Sequence, residues 1–183
     1  MPRFKAIEEE KASTEVAELF ADFRQKMGFP EAPNFIRTQG AALNVAKGTW
    51  GLVQNVLVEG KIPRSVKEMM FVAISTDRHC GYCEAAHIAC CKMLGVDEAA
   101  IKALVEDIDS IQPERIHSIL KFALQCSREP QGLTDAHFDS LRQHGLGEPE
   151  IMEIIAMSAL AVYANTIADA TQLDHDEMFS SFD

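Results

Sequence analysis

Four residues in one stretch of the chain have the types and spacing needed for thiol redox chemistry. Cys80 and Cys83 are three positions apart and His87 follows Cys83 by four, so their side chains share one face of a predicted helix. A vicinal dithiol can cycle between reduced and disulfide forms, and an adjacent imidazole can accept the proton of the attacking sulfur. Glu68 interrupts an apolar run upstream and could orient His87 or relay its proton. We therefore expect the functional site here.

The order in which the two thiols react is open from the residues alone. Cys80 lies near the predicted helix N-terminus, where unpaired N–H groups and the helix dipole favour a thiolate. Cys83 lies one turn further in and has His87 at i+4 as a base. The dipole argument favours attack by Cys80, and the position of His87 favours Cys83.

Composition excludes several classes of function. A chain of 183 residues is long enough to bury a core in one domain, and its net charge of -11 disfavours nucleic acid and anionic membranes. Residues 1–10 have no apolar core typical of a signal peptide, and the apolar run 154–164 is too short to span a bilayer. Five cysteines do not resemble a secreted disulfide framework, so we expect a reducing cytoplasm.

Apolar periodicity and capping residues predict helices throughout. The predicted helices cover 14–27, 43–58, 64–76, 80–94, 98–105, 114–127, 135–144 and 150–168. No segment alternates like a strand with turns at both ends, so the fold class is all-α, a compact multi-helix bundle. Residues 1–40 are predicted to form an arm packed on a domain at 41–183. Similar spacings after Pro63 and Pro149 suggest an internal helical duplication.

The four residues resemble the signature of a known family. Glu68, Cys80, Cys83 and His87, with the sequences of 67–73 and 83–87, are similar to the carboxymuconolactone decarboxylase-like superfamily in its alkyl hydroperoxidase D-like branch. The fold that this resemblance implies is the all-helical bundle of that branch.

The resemblance also implies roles for the four residues. Cys83 would be the peroxidatic thiol, His87 and Glu68 its proton relay, and Cys80 the thiol that resolves the sulfenic acid into a disulfide. Tyr82 departs from the pattern, because alkyl hydroperoxidase D can carry histidine just before its second cysteine. The decarboxylases of the superfamily generally lack the cysteine pair, which argues against decarboxylation here.

The expected function is therefore that of a thiol-dependent peroxidase or disulfide reductase without metal or organic cofactor. A hydroperoxide would be the substrate, and an external dithiol, thioredoxin-like or lipoyl, the reductant. The resemblance further implies a homo-oligomer, from trimer to hexamer.

Two other interpretations stay open. The first is a non-enzymatic redox sensor or scaffold protein that keeps the dithiol as a switch. The second is a zinc-stabilised helical module with His79, Cys80, Cys83 and His87 as ligands, although structural zinc sites usually draw ligands from two separated segments. We expect the remaining cysteines to be packed thiols: Cys90, Cys91 and Cys126.

Overall fold

The computed structural model describes residues 1–180, and these contain helices but no β-strand. The helices are α1 (Thr14–Met27), α2 (Asn34–Gln39), α3 (Leu43–Leu52), α4 (Arg64–Asp77), α5 (Gly81–Met93), α6 (Glu98–Glu106), α7 (Glu114–Arg128), α8 (Asp135–Gln143), α9 (Glu148–Thr171) and α10 (Glu177–Ser180). The all-α prediction is confirmed.

Most helix ends lie where the capping residues predict them. Helix α1 ends at Gly28, which takes the left-handed conformation at φ 80° that glycine adopts without steric cost. The Asp97 carboxylate caps α6 by accepting hydrogen bonds from two backbone N–H groups of its first turn. Three features differ from the prediction: α2 and α10 are additional helices, and the predicted helix 43–58 changes to a π-type turn over Val53–Val58.

Helix α4 lies at the centre of the molecule. Every residue from Val66 to Ser75 is buried, and α5, α6, α7 and α9 all pack against it. An almost continuous apolar sequence explains this position, because a helix that is apolar all round must be covered on all sides. Its two charged exceptions, Lys67 and Glu68, are both fully buried. Each therefore needs a partner, since an unpaired buried charge is very costly.

Lys67 finds its partners outside the cysteine region. Its ammonium lies 3.0 Å from the Glu153 carboxylate of α9 and donates to the main-chain oxygen of Glu59. The Glu153 carboxylate also accepts from the backbone N–H groups of Lys61 and Ile62. This pair ties the turn before α4 to α9. Whether the segments after Pro63 and Pro149 arose by duplication remains a prediction.

Helix α9 is longer than the apolar run that marks it in the sequence. Its 24 residues are long and apolar enough to cross a membrane by length and composition, but half of the apolar window is buried inside the protein. It packs against α4 and α7 as a core helix. Helix α1 adds Phe20 and Phe23 to the same buried cluster. The division at residue 40 stays a prediction, and 181–183 of the predicted domain lie outside the described residues.

Candidate active site

A tight turn between α4 and α5 sets the direction of the cysteine helix. His79 adopts a left-handed conformation at φ 58°, and Cys80 is the residue that caps α5. The backbone N–H of Cys80 donates to the Ser75 main-chain oxygen at 2.9 Å. Because α5 packs closely along α4, His87 meets Glu68, and Cys83 lines the same cavity as His87.

The predicted relay residues are joined directly. His87 Nδ1 lies 2.5 Å from Glu68 Oε2, and the Glu68 side chain is 0% exposed. When Nδ1 carries the proton, it donates to this carboxylate and leaves the lone pair of Nε2 available as a base. The carboxylate thus fixes both the tautomer and the orientation of the ring.

Arg64 is a third member of this group that we did not predict. Its Nε donates to Glu68 Oε1 at 3.1 Å, one helical turn from Glu68 on α4. The buried carboxylate therefore lies between a guanidinium and an imidazole, and each of its oxygens has a partner. This arrangement meets the requirement that a buried carboxylate be paired and hydrogen-bonded.

The Phe71 ring packs on one face of the His87 imidazole. Its ring stacks on His87 with centroids 3.5 Å apart and planes 12° apart. Stacking against a buried ring and a hydrogen bond at Nδ1 together restrict the two side-chain torsions of His87. The imidazole is 14% exposed and so keeps only limited contact with solvent.

Cys83 and His87 line the same small cavity, of about 50 Å³. Its other walls are almost entirely apolar and include the aromatic rings of Phe23, Phe29, Phe35, Phe71, Tyr82 and Phe179. A cavity needs roughly 10–15 Å³ to hold one water molecule, whereas one of about 150 Å³ binds benzene. This cavity therefore admits a molecule the size of hydrogen peroxide, and an aromatic compound would need side chains to move.

Cys80 does not line this cavity. It is 0% exposed, and its Sγ is 4.0 Å from the Asn165 main-chain oxygen of α9. The pKa of the Cys80 thiol lies above the ordinary thiol value because of its hydrogen bond to Cys83, its burial, the Cys83 charge and the Asp169 carboxylate. These effects oppose the helix dipole, which favours a thiolate at Cys80.

Tyr82, between the two cysteines, anchors the C-terminal segment. Its hydroxyl donates to Asp176 Oδ2 at 2.7 Å and accepts from the backbone N–H of Phe35 at 3.0 Å. Burial, followed by the nearby Asp176 carboxylate, raises the pKa of Tyr82, and burial also raises the pKa of Asp176. The tyrosine hydroxyl thus fastens α10, and with it Phe179, beside the cavity.

Cys90 lies closer to the relay than its sequence position indicated. It is buried, lines the cavity and comes within 4.8 Å of ligand atoms of Glu68 and His87. Burial and the Glu68 carboxylate raise its pKa, which keeps it protonated. Among residues 1–180, this is the group of three that comes together at metal-ligand distances. The ligand set of the zinc interpretation, which included His79 and Cys80, is not assembled there.

The family resemblance is supported by comparison with known proteins. Residues 44–112, which hold all four predicted site residues, match the model of the carboxymuconolactone decarboxylase family. No curated protein matches the sequence.

Solved structures share the whole fold. A peroxidase-related protein from Ralstonia eutropha JMP134, described as an alkylhydroperoxidase AhpD core, superposes with a TM-score of 0.88 at 21% identity, over 97% of this chain and 94% of its own. A peroxidase-related protein from Silicibacter sp. TM1040 gives 0.87 at 22%, over 100% and 96%. The debrominase Bmp8 gives 0.81 at 23%, over 97% and 94%. The predicted alkyl hydroperoxidase D-like bundle is confirmed as the fold.

Proposed function

We propose that the protein is a thiol-dependent peroxidase in which Cys83 attacks a hydroperoxide. The observation that carries this proposal is the buried Glu68–His87 pair, 2.5 Å apart, whose imidazole lines the same cavity as Cys83. A purely structural core would gain stability from apolar side chains at these positions. A base fixed by a carboxylate beside a thiol is the arrangement that activates a nucleophile.

The first half of the reaction oxidises Cys83. His87 Nε2 takes the thiol proton, and the Cys83 sulfur attacks the distal oxygen of the hydroperoxide, so the O–O bond breaks. The sulfur becomes a sulfenic acid, and the alkoxide leaves with the proton from His87 as an alcohol, or as water from hydrogen peroxide. The positive charge on His87 during this step is stabilised by Glu68.

The second half forms and then removes a disulfide. Cys80 attacks the sulfenic acid of Cys83 and releases water, since residues at i and i+3 can be bridged with local adjustment of the turn. An external dithiol, thioredoxin-like or lipoyl, then reduces the disulfide. We propose that the working form is a homo-oligomer in the cytoplasm.

Steady-state turnover tests the function. Consumption of hydrogen peroxide and of organic hydroperoxides is measured against a panel of dithiol reductants. With at least one combination of hydroperoxide and dithiol, we expect many turnovers per chain. Cys83→Ser should abolish this turnover. A redox sensor would instead oxidise once and stop, and this result would contradict the proposal.

A second candidate is thiol-dependent removal of halogen from an aromatic ring. The aromatic lining of the cavity favours it, and Bmp8, which shares the fold, is a debrominase solved in complex with 2,3,4-tribromopyrrole. In this reaction a halogenated ring and two thiols give the ring with hydrogen in place of halogen, a disulfide and a hydrogen halide. Release of bromide from brominated pyrroles or phenols, in the same dithiol panel, distinguishes it from peroxide turnover.

A further inference from the structure

His87, the proposed base for Cys83, is too far from Cys80 to accept its proton. His87 follows Cys80 by seven residues, which separates them by roughly 10 Å along the axis of an α-helix. His87 also faces the cavity, whereas Cys80 lies against α9. The resolving thiol nevertheless has to lose its proton before it can attack, so a second acceptor is needed.

Helix α9 presents a carboxylate at this place. The main-chain oxygen of Asn165 that contacts Cys80 Sγ is, in the α-helical pattern, the acceptor of the Asp169 N–H one turn on. Asn165 and Asp169 therefore share the face of α9 that meets Cys80. The Asp169 carboxylate contributes, after Cys83 and burial, to raising the pKa of the Cys80 thiol, and Asp169 itself is exposed to solvent.

Buried hydrogen bonds fix this arrangement on both sides. Asn165 Nδ2 donates to Ser75 Oγ at 2.9 Å, and the main-chain oxygen of the same Ser75 accepts from the Cys80 N–H. The C-terminal part of α4, the start of α5 and the last turns of α9 are thus held in register around the Cys80 sulfur. The ionisable groups that act on Cys80 are Cys83 on its own helix and Asp169 on α9.

We propose that Asp169 is the general base of the resolving step. It takes the proton from Cys80 as that sulfur attacks the sulfenic sulfur of Cys83, and it returns the proton to solvent through its exposed side. The S–S bond forms, the S–O bond breaks, and the departing hydroxide takes up a proton from solvent to leave as water, which balances the proton released through Asp169. This inference rests on the proposed function for its oxidant, but the proton transfer at Cys80 is the same for any agent that first modifies Cys83.

Single-turnover closure of the disulfide tests the proposal in wild type, Asp169→Asn and Asp174→Asn. Asp174 is an exposed carboxylate five residues further on, so its variant matches the change in charge. The reduced protein is oxidised either with hydrogen peroxide or with diamide, quenched in acid at timed intervals and mapped for the Cys80–Cys83 disulfide by mass spectrometry.

Asp169→Asn should slow closure about 10²-fold at neutral pH, the lower end of the range for lost general-base help. The difference should shrink at high pH, where Cys80 ionises without help, and a sulfenic acid probe should label more Cys83 in this variant. Asp174→Asn should close as wild type does. Equal rates for Asp169→Asn and wild type, or a loss that is the same at every pH, would overturn the proposal.

Oxidation by diamide distinguishes a failure of the peroxidase proposal from a failure of the proposed role of Asp169. If peroxide fails to oxidise Cys83 but diamide closure still depends on Asp169, the peroxidase proposal fails and the role of Asp169 stands. If peroxide oxidises Cys83 rapidly and Asp169→Asn closes as fast as wild type with both oxidants, the peroxidase proposal stands and the role of Asp169 fails.

Discussion

The Glu68–His87 pair gives the sharpest prediction on activity. Glu68→Gln keeps the size of the side chain but removes its charge and leaves one acceptor oxygen where two are used. Because both carboxylate oxygens are engaged, by His87 at 2.5 Å and Arg64 at 3.1 Å, the amide NH₂ must face one of these two donors. His87 then loses its fixed tautomer and the stabilisation of its charged form.

The expected loss follows from the general-base role. Glu68→Gln and His87→Gln should each lower the rate of Cys83 oxidation at neutral pH about 10²-fold, the lower end of the usual range. This loss equals roughly 2.7 kcal/mol of transition-state stabilisation. The fold should survive, since Arg64 is 19% exposed and keeps contact with water; we expect a cost of about 1–3 kcal/mol in the free energy of unfolding.

The assay measures the pH dependence of Cys83 oxidation by hydrogen peroxide, and of its alkylation by iodoacetamide, in a Cys80→Ser background. Peptide mapping separates Cys83 from the other thiols, and urea unfolding measures stability. The rates of the Glu68 and His87 variants should approach that of Cys80→Ser alone at high pH, where the Cys83 thiolate forms unaided. Glu84→Gln, on the same helix but outside the cavity lining, is the matched control and should leave the profile unchanged. Identical profiles in all variants, with unchanged unfolding, would remove Glu68 and His87 from the mechanism.

Three further predictions concern the surroundings of the site. Since burial raises the pKa of Asp176, this carboxyl binds more protons in the folded than in the unfolded chain between about pH 4 and its raised pKa, and over that window its contribution to stability falls as pH rises. The free energy of unfolding of the wild type, less that of Asp176→Asn, should therefore fall as pH rises through this window in urea unfolding, and a difference that is constant with pH would contradict this. Lys67→Met should lower the free energy of unfolding by about 3 kcal/mol in the same assay. This is the low end for a broken buried pair, because Glu153 keeps some contact with water. Lys121→Met, which breaks a surface pair, should lower it by under about 1 kcal/mol. Phe179→Ala should widen the cavity and raise kcat/KM for cumene hydroperoxide relative to hydrogen peroxide; an unchanged ratio would show that Phe179 does not limit substrate size.

The sequence predicts the long helices well because their signals are local. Helix α1 has apolar residues at helical spacing and a glycine stop, and α6 has an aspartate cap. Helices α2 and α10 escape prediction because six and four residues are too short to show a helical period. Tertiary contacts, such as that of Phe179 with Phe29, hold such short segments in place.

The site is predictable to the extent that its residues share α4 and α5. Arg64 could have been found from the sequence, because it lies four residues before Glu68 on the same helix and such pairs interact. Asp176 and Asp169 could not have been found in this way, because they are far in sequence from the residues they act on. Asp176 approaches Tyr82, and Asp169 approaches Cys80, only through the packing of distant segments. The raised pKa of Cys80 could not be predicted either, because its hydrogen bond to Cys83 and its burial against α9 depend on the packed structure, whereas the helix dipole is a local signal.

The most direct test of the central claim assigns the two sulfurs by trapping the oxidised thiol. Cys80→Ser and Cys83→Ser are treated with one equivalent of hydrogen peroxide in the presence of a dimedone-type probe and then mapped by mass spectrometry. We predict that Cys80→Ser carries the label on Cys83, because attack proceeds and resolution cannot, and that Cys83→Ser consumes no peroxide and stays unlabelled. Label on Cys80 in the Cys83→Ser variant, with none on Cys83 in the other, would contradict the account.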